Sequence, residues 1–194
     1  MKKILITFIA ITCVTLSMSA QTEKGKFIIS GSTAADLSYV SEDIIGDSGG
    51  DIKLNLNISP AVGYFVIDNL VIGAQASFAY LDSDLNDKST QFTFMPTAQY
   101  YLPFGSVLRP SIQVGAGYVN LSQSVPISNN STSRHSFGGF TWATAVGLSY
   151  FINNSISLDL GVQYADINAS YSGNTSVKVK TKGIGGTIGI SLYL

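Results

Sequence analysis

The chain has 194 residues, a formal net charge of −1, and 12 % charged against 45 % hydrophobic residues. That length makes one domain rather than two large ones, and the lack of a basic stripe or of interleaved aromatic and basic residues excludes nucleic acid as a partner class. The single cysteine, Cys13, rules out a disulfide framework.

The first twenty residues read as a leader. Lys2 and Lys3 give a positive start, an apolar stretch runs from Ile4 to Leu16, and Ser17 to Ala20 supply a small-residue end. This is the order of a cleavable secretory signal peptide. The apolar run is shorter than the roughly 20 residues of a membrane-crossing helix. Cleavage is expected after Ala20, leaving residues 21–194 as a cysteine-free domain. Cys13 sits midway through the apolar run, with further apolar residues after it, which argues against a lipid-accepting role.

Past residue 20 there is no long uninterrupted apolar segment, yet mean hydropathy is positive, +0.28 for the chain. The apolar residues are spread over alternate positions instead, and a period of two is the signature of a strand. The first candidate strand, about Lys26 to Tyr39, has Phe27, Ile29, Leu37 and Tyr39 as its apolar set. From residue 51 onward the even positions are apolar. The second strand runs from Ile52 to Val66 against Lys53, Asn55, Asn57 and Ser59, and the third from Leu70 to Tyr80 against Gly73, Gln75 and Ser77. The fourth runs from Phe92 to Leu102 against Thr93, Thr97 and Gln99, and the fifth from Leu108 to Tyr118 against Arg109, Ser111 and Gln113. The sixth runs from Phe140 to Tyr150 against Thr141, Ala143 and Ser149, and the seventh from Ile156 to Tyr164 against Ser157, Asp159 and Gln163. The eighth runs from Ile184 to Leu194 against Gly183, Gly185, Gly189 and Ser191. Each is about as long as a tilted strand that crosses a bilayer.

The connections alternate in kind. Three are tight: Ile67 to Asn69, Pro103 to Ser106, and Ile152 to Asn154. Four are longer and polar: Ser41 to Gly50, Asp82 to Ser89, Ser122 to His135, and Ser172 to Ser176. Eight strands with both termini on the short-turn side give that count, and short turns opposite long loops are the habit of bacterial outer-membrane barrels. A weak repeat, residues 61–75 echoed at 145–163, is centred each time on a turn. Aromatics gather near the band ends. Tyr64, Phe65, Tyr100, Tyr101, Phe104, Tyr150, Phe151 and Tyr193 are expected to ring the turn-side interface; Tyr39, Phe78, Tyr80, Phe92, Tyr118, Trp142 and Tyr164 are expected nearer the other. Pro60, Pro96 and Pro110 fall inside strand runs, where each removes a ladder bond and is expected at a bulge or near an end.

Alternation alone suits a soluble lipocalin-like barrel too. A water-facing surface carries many Lys and Glu residues, whereas the polar face here is Asn, Gln, Ser, Thr, Ala and Gly, which suits a filled, hydrogen-bonded lumen. The expected fold is all-β, an eight-stranded antiparallel up-and-down transmembrane β-barrel.

In this layout the chain resembles the small outer-membrane barrel family that includes OmpX and the transmembrane part of OmpA. The resemblance covers about residues 25–194 and rests on the leader, the eight amphipathic strands, the three tight turns and the final strand. It implies a Gram-negative outer membrane, periplasmic termini, and a structural, adhesive or protective surface role without enzymatic activity. It also implies insertion by the barrel-assembly machinery. The family's last strand commonly ends in an aromatic residue; here Leu194 follows Tyr193.

Several residues carry possible chemistry. Arg109 and Asp159 share the lumen parity and are expected to join an interior polar network with Gln75, Gln99, Gln113 and Gln163, meeting across the lumen, because a lone buried charge is costly. Lys178, Lys180 and Lys182 share the outward parity beyond the apolar stretch of the last strand, where they could touch lipopolysaccharide phosphates. His135, the sole histidine, lies among serines of a polar loop and reads as solvated rather than catalytic. Asp82 to Asp87 imitates the start of a calcium loop but has Asp87 where glycine is required. Gly183, Gly185, Gly186 and Gly189 precede no helix and are not a phosphate loop. No cofactor or metal is expected. The functional expectation is a surface-interaction or structural barrel. The alternatives are a narrow solute channel or transporter, a lipid-modifying barrel enzyme, and a soluble lipocalin-like binder.

Overall fold

Eight strands follow the alternating segments in chain order: β1 (Phe27–Leu37), β2 (Leu54–Ile67), β3 (Leu70–Asp82), β4 (Lys88–Tyr101), β5 (Leu108–Ser128), β6 (Ser131–Asn153), β7 (Ile156–Tyr171) and β8 (Asn174–Tyr193). The computed structural model describes residues 22–37, 54–82, 88–105, 107–128, 131–171 and 174–194. The expected leader, Tyr39, the first polar loop from Ser41 to Gly50, and residues 83–87 of the calcium-loop-like stretch lie outside the described residues.

Each strand pairs antiparallel with the next, and β8 pairs with β1 to close the barrel. At the seam the two chain ends meet: the Phe27 N–H donates to the Leu194 carbonyl and the Leu194 N–H to that of Phe27, both at 2.9 Å. Closure leaves no unpaired sheet edge, which a hydrocarbon environment would not tolerate. Among the described residues no helix is long and apolar enough to cross a membrane.

Register fixes the shape. Following partners from Phe27 leads through Tyr64, Ile72, Ala98, Val114, Thr144, Tyr164 and Ile184, and returns to β1 at Leu37, ten residues on. With a rise of about 3.3 Å per residue and a strand spacing of about 4.8 Å, that stagger tilts the strands about 40° from the barrel axis.

The two faces have inverted polarity. Ile58 is 69 % exposed and its neighbour Ser59 only 5 %; Val146 is 59 % exposed and Ser149 only 2 %. Water would penalise an exterior so rich in exposed Ile, Val, Leu and Phe, and a contiguous apolar surface of this kind marks a lipid contact. The lipocalin-like alternative, with its apolar face inward, is thereby excluded.

The tight connections have local causes. Asn69 turns β2 into β3 at φ 67°, a left-handed conformation that Asn tolerates. Gly105 does the same between β4 and β5 at φ 82°. After β6, the Asn153 side chain accepts the Ser155 N–H at 2.8 Å, closing the turn into β7.

Three expectations are corrected. First, Ser122 to His135 is not a loop. β5 and β6 stay paired as far as Ser128 and Ser131, and β8 begins at Asn174 rather than near Gly183. Above the membrane both faces meet water, so the outer parity is no longer marked by apolar residues while the ladder continues. Second, Phe65, Tyr101, Phe151 and Tyr193 do not ring the exterior but point inward and are buried, with 2 % exposure or less. Each follows or precedes an outward residue, and neighbours in a strand face opposite ways. Third, Pro60 and Pro96 make no bulge. The β2–β3 pairing lapses at Ser59 and Pro60, and the β4–β5 pairing at Met95 and Pro96, and each resumes in the same register.

Candidate functional site

From the turn end upward, the lumen is filled in layers. The lowest is an aromatic plug. Tyr193, in the last residue of β8, lies 5.1 Å from Phe151, 6.2 Å from Phe65 and 6.4 Å from Tyr101, centroid to centroid. Ile28 and Val71 complete this buried cluster. The tyrosine hydroxyls stay paired inside it: Tyr193 donates to Tyr101 at 3.3 Å and lies 3.2 Å from the Ser157 hydroxyl.

Arg109, near the start of β5, is 5 % exposed. Its guanidinium lies 5.5 Å above the Phe151 ring, a cation–π contact. Its Nη1 donates to the Thr22 hydroxyl and, at 3.4 Å, to Asn69 Oδ1. Thr22, itself 1 % exposed, comes from the segment ahead of β1 and donates to Asn69 Oδ1 at 2.6 Å.

Asp159 stands in the same register row, with Ser149 of β6 between it and Arg109. Its two oxygens accept separately, from Ser157 at 2.9 Å and from Ser191 at 2.5 Å, and Ser191 in turn lies 2.9 Å from the Ser30 hydroxyl. The carboxylate therefore sits on a hydroxyl relay that crosses the β1–β8 seam. The structure thus places both charges on the inner wall, Arg109 directed to the turn end and Asp159 to the seam.

The glutamines form the next layer. Gln113 donates to Gln75 at 3.4 Å, Gln75 to Ser77 at 3.5 Å, and Ser77 accepts from Ser59 at 2.8 Å. Gln99 donates to Ser111 at 3.3 Å. Gln75, Gln113 and Gln163 line, with Met95 and Thr97, a cavity of about 10 Å³. That is room for one water at most. Above it Thr93, Val119, Thr141 and Ala169 are all buried, so the lumen is filled there as well.

On the outer wall, the apolar surface of β7 and β8 gives way to Asp166, Asn168, Lys180 and Lys182. Lys182 pairs with Asp166 at 3.8 Å, and Asn168 donates to the same carboxylate at 2.7 Å. Lys180 stands opposite Asn168 and Lys178 opposite Ser170 in register; the Lys178 side chain lies outside the described residues. The rings of His135 and Phe137 both lie tilted against Tyr171, with centroids 5.5 Å and 5.4 Å away. Among the described residues no three His, Cys, Asp or Glu side chains gather as a metal site would require.

Sequence reasoning missed Thr22, Asn69 and the hydroxyl partners Ser30, Ser157 and Ser191. The tyrosines were findable: in the doublets Tyr64–Phe65, Tyr100–Tyr101 and Tyr150–Phe151 the odd member carries the inward parity. Thr22 and Asn69 left no signal, since neither belongs to a period.

The family described as "Outer membrane protein beta-barrel domain" matches residues 6–190. No curated protein sequence matches the chain. Among solved structures, it is similar to Neisserial surface protein A at TM-score 0.65 and 14 % identity, covering 87 % of this chain and 97 % of that one. It is also similar to OprG of Pseudomonas aeruginosa, at TM-score 0.57 and 16 % identity over 90 % and 98 % of the two chains. Ail, the attachment invasion locus protein of Yersinia pestis, matches at TM-score 0.57 and 14 % identity over 88 % and 99 %. At these identities the likeness speaks for the fold.

Proposed function

The chain belongs to the outer membrane protein β-barrel domain family, and from that premise we propose that it works at the cell surface, presenting the β5–β6 hairpin on a sealed, non-catalytic barrel. The family places it in the outer membrane of a Gram-negative bacterium.

The observation that carries this reading is the unequal height of the strands. β4 leaves the wall at Lys88, paired with Ser124, and β7 ends at Tyr171, paired with Phe137, while β5 and β6 continue together to Ser128 and Ser131. A two-stranded blade therefore stands above its neighbours. The expected leader and the short turns support a reading with the termini in the periplasm and this blade outside. A structural relative described as an attachment invasion locus protein supports a surface role. Lys178, Lys180 and Lys182, at the outer boundary of the apolar band, would meet lipopolysaccharide phosphates; the Asp166 pairing of Lys182 leaves Lys180 the stronger contact. Insertion would use the barrel-assembly machinery, with Leu192 and Leu194 as the outward residues of the final strand.

The filled lumen sets this reading against a passage role. Eight strands leave an interior just wide enough for side chains, and here the aromatic plug and the glutamine layer occupy it. The test is conductance of the purified protein in planar bilayers. No steady open steps are expected; reproducible open channels would overturn the surface role in favour of solute passage.

A further inference from the structure

The segment ahead of β1 does something the cylinder does not require. A strand entering a barrel can simply run in from the bulk. Here Gly25, at φ 96°, turns the chain back across the mouth, a conformation that L side chains adopt only at a cost. The returning segment is then tied at separate points of the rim. The Gly25 N–H donates to the Phe65 carbonyl at 2.9 Å, the Lys24 N–H to the Asp68 carboxylate at 2.8 Å, and the Asn69 N–H to the Thr22 carbonyl at 2.7 Å. At its end the buried Thr22 hydroxyl meets Asn69 and the Arg109 guanidinium.

These ties span strands that are far apart in the sheet. Thr22 is continuous with β1, Asn69 sits between β2 and β3, and Arg109 belongs to β5. A barrel opened at the β1–β8 seam flattens, and β1 and β5, four strands apart, separate. The Thr22–Arg109 contact exists only while the wall is curved into a closed cylinder. Hydrogen bonds to a charged group are among the stronger ones, and this one is shielded from water.

We infer that Thr22–Lys26 is a latch that sets after the barrel has closed and holds it closed, with Arg109 and Asn69 as its receptor. An interaction made only after the rate-limiting closure slows unfolding without speeding folding. The latch therefore confers kinetic persistence in the membrane rather than directing assembly.

The experiment follows both rates. Protein purified from its membrane is unfolded in urea and refolded into phosphatidylcholine vesicles, and folding is read from gel migration of unboiled samples. Thr22→Val removes the hydroxyl, and Gly25→Val opposes the turn without touching the receptor. Each is expected to speed unfolding roughly tenfold while refolding stays within about twofold of the wild type. Thr22→Ser, which keeps the hydroxyl, is expected to unfold at the wild-type rate. Slower refolding with unchanged unfolding would make the segment part of assembly and overturn the proposal. Unchanged unfolding in both Val variants, or Thr22→Ser unfolding as fast as Thr22→Val, would overturn it as well.

Discussion

Arg109 and Asp159 show how a charge is kept inside a cylinder surrounded by lipid. Neither meets hydrocarbon, and each is held by oxygen-bearing neighbours: Arg109 by Thr22 and Asn69 with the Phe151 face beneath it, Asp159 by Ser157 and Ser191. Their inward direction was legible from parity alone. Their partners were not, because Thr22 lies 87 residues from Arg109 and Ser191 32 from Asp159, and no local pattern encodes such meetings. Backbone spacing sets a second residue-scale constraint. At Gly139 an added Cβ would fall 2.0 Å from the Asn168 carbonyl oxygen and 2.5 Å from the Ala169 Cα, so β6 lies too close to β7 for any side chain there. At Gly186, on the outer wall, a Cβ would meet nothing within 4 Å. Gly139→Val should therefore cost about 1–3 kcal/mol, the range for forced overpacking, whereas Gly186→Ala should stay within about 0.5 kcal/mol. Urea unfolding from vesicles measures both. Equal midpoints for Gly139→Val and the wild type would contradict the close approach.

At the scale of elements, the strands divide into a lipid-marked part and an unmarked part. β5 has 21 residues and β6 has 23, yet only about half of each shows apolar alternation. Lipid selects for apolar residues on one face; water selects for neither face, so the outer half of each strand reads as a Ser- and Asn-rich loop although its backbone ladder is intact. Gly138 illustrates what holds that half flat: the Tyr118 ring lies across it, with the hydroxyl 2.6 Å from where a Cβ would stand, an aromatic covering a glycine on the neighbouring strand. Above Lys88 and Phe137 the blade has only its own two strands. A two-stranded ribbon with no further strand beside it opens locally at little cost. Replacing Val125 to Ser133, the part of the hairpin above the last β4 pairing of Ser124, by a two-residue Asn-Gly turn should therefore leave the barrel folded, with unboiled samples still migrating ahead of boiled ones. Unfolding free energy should change by less than about 1 kcal/mol. Loss of the folded band in that variant would show that the blade belongs to the folding unit rather than to the surface function.

For the whole molecule, tilt and membrane thickness together account for the length of the legible pattern. At about 40° of tilt each strand residue climbs about 2.5 Å, so an apolar band about 25 Å tall takes about ten residues. On β7 that span begins at Ile156, passes the exposed Leu158, Leu160 and Val162, and closes at Tyr164 and Asp166, where the first ion pair of the outer wall appears. The agreement between a number set by register and a number set by lipid is what ties the fold to its location. Because Cys13 is the only cysteine and lies in the expected leader, single cysteines can be introduced along β7 without background. A fluorophore attached at residue 158, 160, 162, 166 or 168 in turn, with the protein in vesicles carrying a quencher on the acyl chains, should give a depth profile. Quenching should be strongest at 160 and 162, weaker at 158, and lost by 168. A cysteine placed at Ser128 should meanwhile react with a membrane-impermeant maleimide on intact cells. Quenching at 168 equal to that at 160 would displace the band toward the blade. A Ser128 cysteine labelled only after the outer membrane is breached would invert the molecule and send the blade to the periplasm.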